Sequence, residues 1–246
     1  MNFRARHQSG EPLVLPNAWD AASARLVERA GAEFVATTSA GVAWSLGVPD
    51  GDRLDPDDAV AAVRRIVRAV DVPVTADIEG GYGDVENTVR KVLGAGVVGV
   101  NIEDGARARP ERIASARAVD DDLFINARID TFLFGGGDIA ETVLRARQYL
   151  DAGADGIFVP GVVDLDAIAE LVGEVPAPLN VMVGPGAPSV AELAKVGVRR
   201  VSLGASIPMA AYSLVIDAAA EILGFGTYDR VRGGLTHGDL NSAFAH

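Results

Sequence analysis

Short apolar runs alternate along the chain with segments of helical period. The runs cover 13–16, 33–38, 74–78, 97–102, 123–127, 156–159, 179–183 and 200–203, and several end in or run into a polar or small residue. The segments between them place apolar residues three and four apart, the spacing of a helix with one buried face. Predicted helices cover 21–30, 55–70, 84–93, 110–119, 138–152, 165–172, 190–196 and 207–223. Punctuation agrees with this reading. Gly31 stops the first helix, Asp55-Pro56-Asp57-Asp58 starts the second with proline and acids at its positive end, and Asp84 and Asp138 are placed to cap two others. The phrases Ala30-Gly31-Ala32-Glu33 and Ala152-Gly153-Ala154-Asp155 echo each other as a helix end, a glycine stop and a strand start.

Eight strand-then-helix units in 246 residues predict a (β/α)8 TIM-type barrel, an α/β fold. One domain is expected over 1–246, with the barrel and last helix over about 11–223 and a polar, glycine-rich C-terminal arm over 224–246. A doubly wound sheet is the alternative. It calls for a glycine-rich phosphate turn after the first strand, where this chain has Pro16-Asn17-Ala18-Trp19.

Barrel strands deliver their C-terminal residues to one mouth, which gathers otherwise scattered acids. Asp77 and Glu79 close the third strand, Glu103 and Asp104 the fourth, and Asn126 and Arg128 the fifth; Asp50 lies in the loop after the second. Alternation along a strand would set Asp77 and Glu79 on one side. Like charges that close are unfavourable unless a cation or a proton neutralises one, and hard ions such as Mg2+ take carboxylate oxygens. Each residue has a structural alternative. Asp104 could cap a turn, Arg128 could pair only with Glu103 or Asp130, and Asn126 could bond backbone. Asp50 sits in a Pro-Asp-Gly turn, and Tyr82, the nearest hydroxyl, could simply pack. His7, His237 and His246 lie near the termini and are expected at the surface.

Composition narrows the chemistry. Hydrophobic residues make up 49%, and 34 acids against 22 bases give a net charge of −12 without a basic, aromatic-rich stretch, so nucleic acid is not an expected partner. Cysteine is absent, which removes disulfides and thiolate nucleophiles. No membrane span and no secretory leader are expected from the sequence, and a cytoplasmic location follows as the expectation.

The motifs Asp77-Ile78-Glu79-Gly80-Gly81-Tyr82-Gly83, Asn101-Ile102-Glu103-Asp104 and Asn126-Ala127-Arg128 resemble, in order and spacing, those of the isocitrate lyase/phosphoenolpyruvate mutase superfamily. Supporting phrases include Thr37-Thr38-Ser39-Ala40-Gly41 and Gly47-Val48-Pro49-Asp50-Gly51, and the resemblance runs from about 13 to 204. It implies a barrel, assembly as a dimer or tetramer with the last helix often exchanged, and Mg2+, for which Mn2+ can substitute. It also implies a small 2-oxo or 2-hydroxy carboxylate cleaved or decarboxylated through an enolate. Carried over, Asp77 matches the direct metal ligand, Glu79 and Glu103 the acids that hold the ion through water, and Asp50 the acid beside it. Arg128 matches the substrate arginine, and Ser39 and Ala40 the amides that receive an anionic end. The superfamily's cysteine-bearing lid is missing: Asp104 to Pro110 is short, leaving Tyr82, a metal-bound water, Arg107 or Arg109 as candidates for proton transfer. A catalytically reduced metal- and carboxylate-binding barrel, and P–C chemistry of the phosphonopyruvate hydrolase or mutase kind, are the alternatives.

Overall fold

The computed structural model describes residues 3–134 and 137–245; His246 lies outside them. Nine parallel strands form one nearly closed barrel in the order β1-β9-β8-β7-β6-β5-β4-β3-β2. They are β1 (Leu13–Leu15), β2 (Asn17–Ala18), β3 (Val35–Thr37), β4 (Val74–Asp77), β5 (Gly99–Glu103), β6 (Phe124–Arg128), β7 (Gly156–Val159), β8 (Leu179–Met182) and β9 (Arg200–Ser202). The eight expected strands become nine because Pro16, which has no N–H for the ladder, splits the first. β1 pairs with β9 and β2 with β3. The Asn17 side chain helps close the seam, accepting from the Leu203 N–H at 2.8 Å and donating to the Thr37 carbonyl at 3.0 Å.

The helices are α1 (Phe3–Arg6), α2 (Ala21–Arg29), α3 (Ser39–Ser45), α4 (Pro56–Ala69), α5 (Val85–Ala95), α6 (Pro110–Arg117), α7 (Ile139–Asp151), α8 (Leu165–Glu174), α9 (Val190–Lys195), α10 (Ser206–Phe225) and α11 (His237–Phe244). Asp84 and Asp138 each accept a backbone N–H at the start of the helix that follows, as their positions predict, and Asp164 does the same for α8. Among the described residues, three of the eleven helices were not expected from the sequence, among them α11, which lies in the arm read only as polar and glycine-rich. α3 has no side-chain cap and no apolar stripe, and α1 is a single turn at the chain start.

α1 also corrects the expectation for His7. Its helix plugs the N-terminal end of the barrel, and His7 is buried, stacked on Phe124 with ring centroids 4.1 Å apart. Burial, with Arg200 adding to it, pushes the imidazole down to about 3. His237 is exposed at the start of α11, as expected.

Alternation along the strands sorts the barrel into an outer core and an inner stack. Val100, Ile102, Ile125 and Ala127 pack outward against the helices. Asn101 and Glu103 therefore face inward from β5, and Phe124, Asn126 and Arg128 from β6. The register pairs Gly99 with Phe124, Asn101 with Asn126 and Glu103 with Arg128. The stack thus runs from an aromatic floor through an amide layer to a charged rim.

α10 is long and apolar, with a mean hydropathy of 1.4, and only 6% of its most apolar stretch is buried. By length and composition alone it meets the criterion for a span that the sequence reading did not find, although Asp217 and Glu221 lie within it. The arm after it returns to the barrel. α11 packs on α2, with Arg25 Nε donating to the Ala243 carbonyl at 2.9 Å.

Candidate active site

The charged rim opens into a cavity of about 210 Å3 whose wall includes Asn17, Ser39, Ala40, Asp50, Asp77, Asn101 and Arg128. Asp77 ends β4, where its backbone N–H donates to Thr37 Oγ1 at 2.8 Å and its carboxylate accepts from Ser39 Oγ at 3.1 Å. Arg128 ends β6 between two acids. Nη1 meets Glu103 Oε2 at 2.8 Å and Nε meets Asp130 Oδ1 at 2.7 Å. Those acids outweigh the cost of burial and hold the guanidinium above its ordinary range. Its ion pairs are thus structural, and it also faces the cavity.

Glu79 does not follow the strand alternation. The strand stops at Asp77, and Glu79 takes φ = 50°, turning its side chain toward the loop that carries Asp50. Its Oε2 accepts the Gly51 N–H at 3.0 Å and also the Asp52 N–H. In return, Asp52 Oδ1 accepts from Gly80 N–H at 3.2 Å and Tyr82 N–H at 3.0 Å. Asp52, Glu79 and Tyr82 are the three non-glycine residues with positive φ among the described residues. Such backbone costs about 1–3 kcal/mol per residue, so it persists only where surrounding bonds hold it. A Cβ at Gly80 would push aside the ends of the Asp52 and Arg112 side chains. A reciprocal clasp therefore joins the loop bearing Asp50 to the loop bearing Glu79. Nothing in the spacing of Asp52 pointed to this role.

The clasp gives a direct expectation. Asp52→Ala removes the acceptor for two amides and should speed hydrogen exchange in both 47–54 and 78–83, whereas Asp52→Asn keeps the accepting oxygen and should stay near wild type. Exchange mass spectrometry reads this, and loosening of one loop alone would contradict a reciprocal clasp.

Asn126 lies one layer below Arg128 and does not line the cavity. Its Nδ2 donates to Asn101 Oδ1 at 2.9 Å and Asn180 Oδ1 at 3.0 Å. Beneath the cavity, the buried Arg200 reaches Asn101 Oδ1 at 3.1 Å, and burial pushes its guanidinium down to about 9. Tyr82 is also outside the cavity wall. Its ring packs in the core, and burial, followed by the Glu79, Asp77 and Asp52 carboxylates, raises its hydroxyl above the ordinary range.

The short lid is anchored. Asp104 is buried and accepts from Asp130 N–H at 3.0 Å, Arg145 Nη1 at 3.0 Å and Tyr149 Oη at 2.8 Å. Tyr149 Oη in turn accepts the Arg109 N–H at 3.0 Å. Asp104 is thus a hub between β5 and α7 rather than a turn cap. Arg107 is exposed and Arg109 reaches Glu111 at 3.4 Å; neither lines the cavity.

Electrostatics favour a cation at this rim. Burial chiefly, with the Asp77 charge adding to it, pushes Glu79 up to about 7 and Glu103 up to about 8. Asp50 is raised by burial and by Asp77. Among the described residues Glu79 Oε1 is buried without a hydrogen-bond partner. Among the described residues no three acids or histidines converge tightly enough to ligate an ion together. The donor set fits Mg2+, which is commonly held by one or two carboxylates and keeps several waters. Asp77 could touch the ion, with Glu79 Oε1 and Glu103 reaching it through water.

The sign of the pH response follows. The folded state keeps on Glu79 a proton that the unfolded chain releases near the ordinary glutamate range, so its stability is lost as pH rises through about 7. His7, buried neutral, acts in the opposite sense only below its ordinary 6.5. Without divalent ions the melting temperature should therefore fall between pH 6.5 and 8.5, and saturating Mg2+ should recover it. A melting temperature that rises with pH in EDTA would contradict this.

A parallel barrel with acids and an arginine at its C-terminal mouth has the layout of a TIM-barrel enzyme. The family model described as phosphoenolpyruvate phosphomutase matches residues 3–223, and the chain belongs to this family, within the isocitrate lyase/phosphoenolpyruvate mutase superfamily. An uncharacterized protein of Mycobacterium tuberculosis is 39% identical over 230 residues, covering 90% of this chain and 87% of the relative. An oxaloacetate decarboxylase of Pseudomonas savastanoi is 30% identical over 244 residues, covering 89% and 83%. Among solved structures, a lyase/mutase so designated from Burkholderia cenocepacia superposes with a TM-score of 0.93 at 39% identity, covering 100% of this chain and 95% of that one. Phosphonopyruvate hydrolase in complex with oxalate and Mg2+ superposes with a TM-score of 0.84 at 26% identity, covering 98% and 93%.

Proposed function

We propose that the protein is a Mg2+-dependent, lyase-type enzyme that cleaves or decarboxylates a small 2-oxo or 2-hydroxy carboxylate through an enolate. The observation that carries this is the meeting of Asp77, Asp50 and Arg128 on the wall of one small cavity. The oxaloacetate decarboxylase relative and the Mg2+–oxalate complex of a structural neighbour support it. When bound, the ion would act as a Lewis acid toward the substrate's α-oxygen and carboxylate. Asp77 would hold it, with Glu79 and Glu103 in its water shell. Arg128 would seat a second carboxylate through its planar fork, and the Ser39 and Ala40 amides would receive an anionic end. Asp50, raised in pKa and facing the cavity, is the group placed to move a proton. With a 2-hydroxy acid it would take the hydroxyl proton as the C–C bond breaks, the electron pair passing to the departing enolate, which is then protonated.

The test is turnover: Mg2+ titration with oxaloacetate and 2-hydroxy diacids, following pyruvate or glyoxylate, with phosphonopyruvate followed by phosphorus NMR. No turnover by folded, metal-loaded protein, with oxalate still bound, would support the second reading, a binding barrel. The anchored lid favours that reading, since Asp104 ties it to Arg145 and Tyr149.

The same reading includes assembly. α10 exposes Ile216, Leu223 and Phe225, with Leu223 86% and Phe225 83% exposed. Apolar side chains left uncovered round most of a helix mark an association surface, and a second copy of the chain is the proposed occupant. Light scattering should give a dimer or tetramer, and a monomer at micromolar concentration would contradict it. The cytoplasm is the proposed location, to be read by cell fractionation.

A further inference from the structure

The amide layer beneath the cavity has one orientation, fixed by groups that bond in only one sense. A guanidinium only donates, and a backbone carbonyl only accepts. Arg200 Nη2 meets one end of the Asn101 amide at 3.1 Å, so that end is the carbonyl, Oδ1. From the far side of the layer, Asn180 Nδ2 donates to the Val181 carbonyl at 2.9 Å and the Arg200 carbonyl at 3.2 Å, which leaves Asn180 Oδ1 for Asn126. Asn126 must then donate, and its Nδ2 reaches Asn180 Oδ1 at 3.0 Å and Asn101 Oδ1 at 2.9 Å. Both fixed ends therefore require Asn101 to accept with its oxygen. All four residues are buried, and Asn101 alone of them lines the cavity. With Oδ1 held from below, Nδ2 is the end of the amide left for the cavity, and among the described residues no acceptor meets it. The β4–β5 register pairs Asp77 with Asn101, so this donor stands beside the acid that would hold the ion. An N–H pair cannot ligate a cation, but it suits an oxygen of an anion. The charge of Arg200 behind the carbonyl polarises the amide and strengthens it as a donor.

We propose that Asn101 is a substrate-binding residue whose Nδ2 donates to an oxygen of the bound acid, and that Arg200 is the positioning residue that fixes which end of the amide faces the cavity. This role rests on the metal and carboxylate reading of the site and adds a donor that reaches the anion from the floor rather than from the rim.

Calorimetry of Mg2+-dependent oxalate binding to the full chain tests it. Asn101→Leu keeps the size of the side chain and removes the donor. Oxalate should then bind about tenfold to a hundredfold more weakly, the worth of a hydrogen bond to a charged partner. Asn101→Asp keeps an oxygen for Arg200 and Asn126 and gives the guanidinium a counter-charge, so it should melt no lower than wild type. It also turns an acceptor toward the cavity, and it should lose at least as much oxalate affinity as Asn101→Leu. Arg200→Met should weaken oxalate less, because Asn126 still holds the amide, and that loss should vanish in the Asn101→Leu background. An equal loss in both backgrounds removes Arg200 from the positioning role. Damage from Asn101→Leu with rescue by Asn101→Asp is the mark of a purely structural residue and overturns the assignment of Asn101. Affinity within about threefold of wild type in both variants, below the worth of such a bond, overturns it equally; either result leaves the metal reading standing. Failure of oxalate to bind the unaltered, metal-loaded chain overturns both.

Discussion

Asp77→Asn should abolish Mg2+-dependent binding of oxalate while leaving the fold intact. The amide keeps the shape of the side chain and an oxygen that can accept from Ser39 Oγ, now 3.1 Å from the carboxylate. It removes the one acid that both ends a strand at the rim and faces the cavity from β4. Loss of an outer-shell partner typically costs ten- to a hundredfold in metal affinity, so loss of the direct ligand should exceed about a hundredfold on the same scale. Because Asp77 also repels Glu79, Glu103 and Asp50, the metal-free variant should melt no lower than wild type. Calorimetry with and without Mg2+ reads the first effect and a melting curve the second. Oxalate affinity within threefold of wild type would remove Asp77 from the role.

Asp104→Ala should be the most damaging substitution for stability. It strips the acceptor from Arg145, from the Tyr149 hydroxyl and from the Asp130 N–H in one step. Breaking a buried, hydrogen-bonded charge pair costs about 3–5 kcal/mol, and a domain of this size loses roughly 2–4 °C per kcal/mol. A fall of about 10 °C is expected on those two scales. Tyr149→Phe should cost much less alone and add little to Asp104→Ala, because the hydroxyl's acceptor is already gone. A drop under about 2 °C for Asp104→Ala would mean the network is worth no more than a surface ion pair.

The two substitutions separate what the sequence discloses from what it hides. Asp77, Glu103 and Arg128 were legible because each ends an apolar run, and barrel topology brings such ends together whatever their separation along the chain. The strands and their capping aspartates were legible for the same local reasons. Asp52 and Asp104 were not, because their partners lie about 28 and 41 residues away and no spacing rule links them. Glu79 was assigned a side by an alternation that stops two residues earlier, at Asp77. Asn126 was counted with Arg128 because they are neighbours in sequence, yet the inward stack sets them one layer apart. His7 was read as a surface residue from its place near the terminus; tertiary packing of a single helical turn buries it. Pro16 sits inside the first run, 13–16, and its part in splitting the closing strand depends on both neighbours, β9 and β3, being in place.

The central claim is that separate acids at one rim hold an ion opposite an arginine that seats an organic acid. A crystal structure with Mg2+ and oxalate tests it most directly. The expected result is an ion about 2.0–2.1 Å from an Asp77 oxygen, Glu79 Oε1 and Glu103 bonded to its waters, and oxalate between the ion and Arg128. An ion bound away from Asp77, or oxalate seated outside the cavity that Asp77 and Arg128 share, would contradict the account.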